Sequence, residues 1–166
     1  MLDGLWMNAT PERDFREDIV SSIMTRNVHR CQSSETVLSS LSRMVEKDVG
    51  SLVVDDGDHL GIVTERDVVR KLVLMGGSEG EAPFLRKTVR EIMTPDAITI
   101  TSQTLVLEAA SKMVNNKVRR LPVVDDGKLV GLVTERDVFR WFVQATQRAM
   151  PESVKGALSG YEFLFI

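Results

Sequence analysis

A seven-residue phrase occurs twice in the chain, and this repetition constrains the fold more than any other feature. Gly-Ile-Val-Thr-Glu-Arg-Asp at residues 61–67 returns as Gly-Leu-Val-Thr-Glu-Arg-Asp at residues 131–137. We call these the first and second signatures. An Ile-Met-Thr triplet opens each copy, at 23–25 and at 92–94. The repeat predicts an α/β (α+β) fold of two β-α-β-β-α units. A unit of about 60 residues buries little surface alone, so we expect the two units to share a core.

Two helices in each unit are predicted from their apolar spacing. Before each hairpin, five apolar positions recur at a constant separation of 69 residues, and their spacing predicts one helical stripe. After each signature, a second stripe continues into a further helix. The predicted stripes are Val37, Leu38, Leu41, Met44 and Val45 with Val106, Leu107, Ala110, Met113 and Val114, and then Val68, Val69, Leu72 and Val73 with Val138, Phe139, Phe142 and Val143.

Two strands joined by a tight turn are predicted immediately before each signature. Apolar runs at 51–54 and 121–124 lead into Asp-Asp-Gly, a turn sequence typical of β-hairpins. The separation between copies changes from 69 to 70 residues, and we assign the inserted residue to 118–121. Pro122 predicts a strand edge or a strand start, because proline cannot donate to a ladder.

The boundaries follow from helix start and stop signals. Thr10 and Pro11 predict a helix that runs to about Val20 or Met24. The helix after the first signature is expected to end at the glycines of 76–80. We therefore divide the chain into an N-terminal extension (1–19), a first domain (20–76), a linker (77–88), a second domain (89–145) and an apolar C-terminal tail (146–166).

Composition excludes several classes of function. The net charge of −3 gives no overall footprint for nucleic acid. The single cysteine, Cys31, excludes an intrachain disulfide and favours a cytoplasmic location. No apolar run reaches the roughly 18 residues of a membrane span. His29 and His59 are isolated, so no metal site is predicted.

Each signature has a structural and a functional interpretation. Thr-x-x-Asp before an apolar helix is typical of a capping box, with Thr64 paired to Asp67 and Thr134 to Asp137. The same strand-to-helix junction presents free N–H groups and a positive helix end to an anion. A threonine hydroxyl can donate to phosphate or ribose, and an aspartate can accept from ribose hydroxyls. Capping and binding are compatible.

These motifs resemble a tandem pair of cystathionine-β-synthase (CBS) domains, a Bateman module. The Ile-Met-Thr triplets, the Leu-Pro-Val-Val-Asp-Asp-Gly hairpin and the signatures all match, over about residues 20–145. The resemblance implies two repeats packed with pseudo-two-fold symmetry and two clefts for adenosyl ligands: AMP, ADP, ATP or S-adenosylmethionine. It also implies a flat dimer formed through helices.

The resemblance assigns ligand-binding roles by position. Threonine contacts phosphate or ribose, and aspartate holds the ribose hydroxyls. The resemblance places a basic residue toward the ligand phosphate at Arg119-Arg120, and Arg120 is the favoured contact. The first copy has Gly50-Ser51 at this point, so the two clefts are expected to differ in affinity. The adenine base would rest on the first extended stretch of a unit. The candidate residues are Thr64, Asp67, Thr134, Asp137, Arg120, Arg119, Arg66, Arg136, Val28, Ala97 and Ile98.

The sequence therefore predicts a regulatory sensor, not an enzyme, that binds an adenine nucleotide non-covalently and acts on a dimer or an unidentified protein partner. Any Mg²⁺ would arrive with the nucleotide. The alternative is a ligand-free dimerisation or docking module, in which the signatures only cap helices. A local basic face (Lys117, Arg119, Arg120) leaves a nucleic-acid role as a weaker hypothesis.

Overall fold

A computed structural model describes residues 17–57, 59–79 and 81–149. The predicted β-α-β-β-α order is confirmed in the first unit, whereas in the second unit a single bridge at Ile100 stands in place of the first strand. The elements are β1 (Arg30–Cys31), α1 (Val37–Glu46), β2 (Ser51–Asp55), β3 (Leu60–Thr64), α2 (Glu65–Glu79), α3 (Glu81–Leu85), α4 (Val106–Asn116), β4 (Arg120–Asp125), β5 (Lys128–Thr134) and α5 (Glu135–Ala149). Short 3₁₀ turns occupy Val20–Ser22 and Val89–Glu91. No helix in the described part of the chain is long and apolar enough to cross a membrane.

Each unit is built on an antiparallel hairpin with a parallel neighbour. In the first unit, β1 pairs parallel to β2, and β2 pairs antiparallel to β3. In the second unit, β4 pairs antiparallel to β5, and a single parallel bridge joins Ile100 to Val123. Pro122 explains why the second unit has less parallel strand pairing than the first. Its counterpart Val53 donates its N–H to the His29 carbonyl, and proline has no N–H to donate.

The hairpin turns form where Asp-Gly predicts them, but the inserted residue lies elsewhere than expected. Ser51 pairs with Thr64 and Arg120 with Thr134, so the 69-residue correspondence still holds at 118–121. The register of the second hairpin shifts only between Val123 and Val124. The assignment to 118–121 is therefore wrong. The extra residue is accommodated as an irregularity close to the turn, where it disturbs only the end of the ladder.

The segment that precedes each unit in the sequence pairs with the other unit in space. Val20 donates its N–H to the Thr104 carbonyl at 2.8 Å, and Val89 donates to the Glu35 carbonyl at 2.8 Å. Thr25 bridges to β5, and Thr94 bridges to β3. We call residues 18–25 and 87–94 the crossing segments. The Ile-Met-Thr triplets therefore belong structurally to the unit opposite the one that they open in sequence.

The crossing segments also complete the hydrophobic cores. Val89 and Ile92 are buried in the first core, and Val20 is buried in the second with Ile23 and Met24 packed against it. Burial raises the pKa of the Cys31 thiol, in the first core, to about 12, so this cysteine is a buried hydrophobe rather than a nucleophile.

Each of the two signature glycines lies in close contact with a crossing segment. A Cβ atom on Gly131 would lie 2.5 Å from Sδ of Met24. A Cβ atom on Gly61 would lie 3.0 Å from the Thr94 carbonyl oxygen and 3.1 Å from Sδ of Met93. The sequence predicts that these glycines admit a close neighbour. That neighbour is the crossing segment of the opposite unit.

The predicted helical stripes are only half correct. Val37, Met44, Val106 and Met113 are buried, together with the unpredicted Ser40 and Ala109. In contrast, the predicted residues at i+1 and i+8 of α1 and α4 face outward, because these positions lie about 100° around the helix from i and i+7. In the signature helices α2 and α5, two of the four predicted residues are exposed as well. The exposed residues, with 43–79% of their surface accessible, are Leu38, Val45, Leu107, Val114, Val69, Val73, Phe139 and Phe142.

The first signature helix ends within the predicted range of 76–80, but part of the segment assigned to the linker is helical. Helix α2 continues through Gly76 and Gly77 to Glu79, and α3 follows from Glu81 to Leu85. Glycine lowers helix propensity by about 1 kcal/mol but does not end a helix that tertiary packing supports, and Phe84 of α3 is buried in the first core. Helix α5 extends to Ala149. The first part of the helix predicted from Thr10 lies outside the described residues, and the described residues 18–24 contain the 3₁₀ turn Val20–Ser22 instead of an α-helix. The tail beyond residue 149 also lies outside the described residues.

Replacing Gly131 with alanine is expected to lower the free energy of unfolding by about 1–3 kcal/mol, because the new methyl group overpacks the contact with Met24. Urea denaturation measures this cost. In a Met24→Ala background the cost should fall clearly, since the clashing side chain is gone. Equal costs in both backgrounds would show that the two residues are not coupled.

Fragments provide a second prediction. Residues 20–76, which form the first domain by sequence, lack Phe84, Val89 and Ile92 of the first core. Residues 27–94 contain every buried member of that core. We expect cooperative urea unfolding, followed by circular dichroism, only for the 27–94 fragment. Cooperative unfolding of the 20–76 fragment alone would contradict the structural exchange.

Candidate functional site

The first signature forms the predicted helix cap. Thr64 precedes α2, and both its N–H and its hydroxyl donate to Oδ2 of Asp67, at 2.9 and 2.6 Å. The Asp67 N–H donates back to Oγ1 of Thr64 at 3.2 Å. The reciprocal pairing satisfies donors at the helix start, and such a cap contributes about 1 kcal/mol. The structural interpretation of this signature is confirmed.

The second signature has the same cap but one additional partner. Thr134 donates to Oδ2 of Asp137 through its N–H at 2.9 Å and its hydroxyl at 2.6 Å. Oδ1 of Asp137 lies 3.5 Å from a guanidinium nitrogen of Arg140. The ion pair occupies the oxygen that the cap leaves available. Within the described residues, Asp67 has no such ion pair with Arg70, the counterpart of Arg140.

Arg120 is the predicted site residue that connects the two signatures. Its backbone pairs with Thr134 in the second hairpin. Its guanidinium reaches the first unit, where NH2 lies 3.4 Å from the position of a Cβ on Gly50. Burial lowers the pKa of Arg120, while the carboxylates of Glu65 and Asp67 act in the opposite direction. A half-buried cation therefore faces the start of α2 from across the boundary between the units.

The other predicted arginines are more exposed. Arg66 and Arg136 are at the second position of their helices and are exposed. Arg119 is exposed and lies 3.4 Å from the carboxylate of Glu135. These three side chains are less enclosed than Arg120, so they are less restricted in orientation.

The residues predicted to carry the base are half-buried. The Ala97 N–H donates to the Leu60 carbonyl at 2.8 Å, which places this stretch along the edge of β3. Ile98 packs against the second core. Val28, in the first unit, donates to the carbonyl of Arg26. Ala97 therefore adjoins the first hairpin, although it belongs to the second repeat in sequence.

A cleft of about 240 Å³ opens beside Asp67. One wall is α2, with Arg70, Lys71 and Leu74, and the other is the crossing segment, with Ile92, Met93 and Thr94. Within the described residues neither Arg70 nor Lys71 forms an ion pair. The sequence analysis missed both cations, because on a helix they are typical of a solvated face. Only their position opposite the crossing segment distinguishes them.

The corresponding region of the second unit is filled. Trp141 stands where the first unit has Lys71, and only 6% of its surface is accessible. Its indole N–H donates to a carboxylate oxygen of Asp18 at 2.8 Å, and it packs with Ile23, the counterpart of Ile92. The sequence analysis missed this pair too, because 123 residues separate Trp141 from Asp18.

A larger depression, of about 510 Å³, lies on the second unit between α4 and residues 99–104. Lys112 donates to the Thr99 carbonyl there at 3.0 Å. None of the predicted site residues lines it. In the first unit, ion pairs occupy the equivalent region: Arg43 with Glu35, and Arg30 with Asp55.

Comparison with known proteins identifies the family to which the chain belongs. The CBS domain model matches residues 20–74 and 89–144. An uncharacterized protein of Methanopyrus kandleri is 36% identical over 124 residues, which cover 73% of this chain and 61% of that protein. The chain spans 54% and 36% of the lengths of two other curated relatives.

Two solved structures have the same fold. A putative signal-transduction protein with CBS domains from Burkholderia ambifaria is 34% identical, with a TM-score of 0.63 over 72% of this chain and 85% of that one. The CBS domain pair of protein MJ0100, solved in complex with 5′-methylthioadenosine and S-adenosyl-L-methionine, is 27% identical, with a TM-score of 0.65 over 75% of this chain and 99% of that one. The chain therefore belongs to the CBS domain family and carries two CBS domains in tandem.

Proposed function

We propose that this CBS pair is a non-catalytic sensor that binds an adenosyl ligand between its two units and transmits the binding to a dimer or a protein partner. The observation that carries the proposal is the position of Arg120. Its backbone belongs to the second hairpin, while its guanidinium lies beside Gly50 and Glu65 of the first unit, and the charges of Glu65 and Asp67 raise its pKa against the effect of burial. One ligand that contacts both would therefore hold the two units together.

The chemistry of the signature fits such a ligand. Oδ2 of Asp67 is used by the cap, and its second oxygen can accept from ribose hydroxyls. Arg120 offers several N–H donors, which suit phosphate or carboxylate. The MJ0100 pair binds S-adenosyl-L-methionine and 5′-methylthioadenosine, which supports an adenosyl group. AMP, ADP and ATP, with any Mg²⁺ they carry, belong to the same proposal, as does a role as an energy sensor.

Signal transmission follows from the crossing segments. Each segment is bonded to one unit and continues into the other, so a ligand that changes the relation between the units also changes these contacts. A ligand shifts this equilibrium only as far as its affinities for the two arrangements differ. The buried Cys31 thiol fits a reducing compartment, and we place the protein in the cytoplasm.

We expect calorimetry to detect binding of at least one of AMP, ADP, ATP and S-adenosylmethionine. Asp67→Ala and Arg120→Gln should each weaken that binding by about tenfold or more, the usual effect of losing a charge-assisted hydrogen bond. Arg148→Gln, an exposed site in the last turn of α5, is the matched control and should bind as the native chain does.

Thr64→Ser is a further control for the helix cap. It keeps the hydroxyl that pairs with Asp67, so the stability measured by urea denaturation and the affinity for the ligand should both change little. Asp67→Ala should cost about 1 kcal/mol through the lost cap and should also lose affinity. The absence of a heat signal from all four ligands would overturn the sensor proposal and favour a ligand-free module.

Exposed apolar side chains favour self-association as a second function. Val69 and Val73 on α2 are 61% and 74% exposed, and Phe139 and Phe142 on α5 are 58% and 52% exposed. Val69 and Phe139 occupy corresponding positions of the two signature helices, and Val73 and Phe142 lie one turn further along their helices. Exposed apolar side chains one helical turn apart are typical of a protein interface. A second copy of the chain, with the same pair of faces, suits an isologous contact.

Sedimentation of the native chain is expected to show a dimer, and the double variant Val69→Asp/Phe139→Asp is expected to sediment as a monomer, because two buried charges would be left unpaired. Gln144→Asp provides the control, since Gln144 is exposed on a different face of α5. A dimer that persists in the double variant would exclude these faces as its interface.

A further inference from the structure

We propose that the outer edge of each sheet is a pairing surface for a second copy of the chain, kept closed by two side chains of its own unit. The crossing segments bridge to β3 and β5 and so cover one edge of each sheet. The opposite edge consists of residues 30–32 in the first unit and of residues 99–101 in the second. We call these stretches the outer edges, and within the described residues no further strand pairs with them. An uncovered edge presents backbone N–H and C=O groups to which another chain can bond.

Two ionic side chains close the first outer edge. The guanidinium of Arg43 donates to the Arg30 carbonyl at 2.6 Å, and the Gln32 N–H donates to Oε1 of Glu35 at 2.9 Å. Arg43 and Glu35 also form an ion pair with each other at 2.7 Å. Burial acts to raise the pKa of Glu35, but hydrogen bonds from Gln32 and Arg43 hold that pKa below its ordinary value. Both side chains are therefore charged at neutral pH, and charge-assisted hydrogen bonds of this kind are about twice as strong as neutral ones.

Different residue types close the second outer edge at the same backbone groups. Lys112 donates to the Thr99 carbonyl at 3.0 Å, and the Thr101 N–H donates to Oγ1 of Thr104 at 3.1 Å. Each of these four residues lies 69 positions after its counterpart in the first unit. One carbonyl and one N–H are thus bonded to side chains in both units, although arginine is replaced by lysine and glutamate by threonine. The recurrence of the contact with different side chains favours a role in blocking the edge.

The second outer edge is less firmly closed than the first. A hydroxyl stands there in place of an ionised carboxylate, and within the described residues Thr104 and Lys112 form no bond with each other. The edge is joined to β4 by a single bridge, at Ile100, and the depression of about 510 Å³ opens beside it. The N–H of Thr99 has no hydrogen-bond partner among the described residues. Another chain therefore meets less resistance at this edge than at the first.

A second copy of the chain fits this edge because it offers the same groups in return. Two copies of one edge, related by a two-fold axis perpendicular to the sheet, run antiparallel and continue the sheet from one molecule into the next. The N–H of Thr99 is available at once, whereas its carbonyl and the Thr101 N–H become available only when Lys112 and Thr104 are displaced. The two side chains thus oppose association at this edge, which involves none of the exposed apolar residues of α2 and α5.

The test removes the two blocking side chains from the second outer edge of the full chain. Thr104→Val and Lys112→Met, combined in one variant, remove the hydroxyl and the ammonium group but keep side chains of similar size. Sedimentation velocity is expected to show species heavier than the native one, in a share that rises with protein concentration. Thr104→Glu with Lys112→Arg copies the first unit and should sediment as the native chain does. The same holds for Lys128→Met, which replaces an exposed lysine elsewhere on the second unit.

Hydrogen exchange locates the new contact. In the associated variant the Thr99 amide proton should exchange at least about tenfold more slowly than in the native chain. The amide proton of Arg30, its counterpart at the first outer edge, should keep its native rate. Adding Val69→Asp and Phe139→Asp should leave this association intact, so the result does not depend on whether α2 and α5 form a dimer.

A folded double variant with the native mass would overturn the proposal, as would association that leaves Thr99 unprotected or that disappears with Val69→Asp and Phe139→Asp. Far-ultraviolet circular dichroism establishes that the variant is folded. Where the double variant fails to fold, Lys112→Met alone is judged by the same two measurements, because it frees the Thr99 carbonyl and leaves the turn at Thr104 unchanged.

Discussion

The contact between each signature glycine and the crossing segment of the opposite unit is the constraint on which the rest of the structure depends. Met24 lies against Gly131, and Met93 lies against Gly61. A side chain at either glycine would push the segment away from the hairpin edge. The crossing segment that contains Met24 or Met93 also contributes Val20 or Val89 to a core. The same contact therefore determines whether that core is complete. Two small units thus become one cooperative structure through reciprocal exchange.

The exchange has a consequence for the candidate site. Each signature lies at the end of a hairpin, and a crossing segment from the other repeat pairs with the edge of that hairpin. Residues of both repeats therefore surround each signature. Arg120 reaches the first signature from the second hairpin, and residues 92–94 reach it from the other side. The units keep the same backbone plan, while the side chains placed around the two signatures differ.

The hairpins, the helix caps and the β-α-β-β-α order were predictable, because each depends on residues close together in sequence. The exchange was not. A repeat shows that Ile-Met-Thr occurs twice, but both copies fit either hairpin equally well, and only three-dimensional packing selects the opposite one. The position of the inserted residue was predicted wrongly for a related reason. Asp-Asp-Gly matches letter for letter in both copies. In the structure, however, the N–H groups of Ser33 and Ser102 donate to Asp56 and Asp125, which makes these two aspartates equivalent. The contact between Trp141 and Asp18 leaves no local pattern at all.

The two interpretations of the signature turn out to use different atoms. The cap in each unit takes Oδ2 of the aspartate, and a ligand would need the other oxygen. In the second unit, Arg140 already lies 3.5 Å from that oxygen, so a ligand there would have to displace this ion pair or share the oxygen with it. In the first unit, Asp67 forms no ion pair within the residues described. The half-buried Arg120 lies near enough for the charge of the Asp67 carboxylate to act on its pKa. The identical Thr-Glu-Arg-Asp letters thus give identical caps but unequal sites, and the inequality arises from residues outside the repeat phrase.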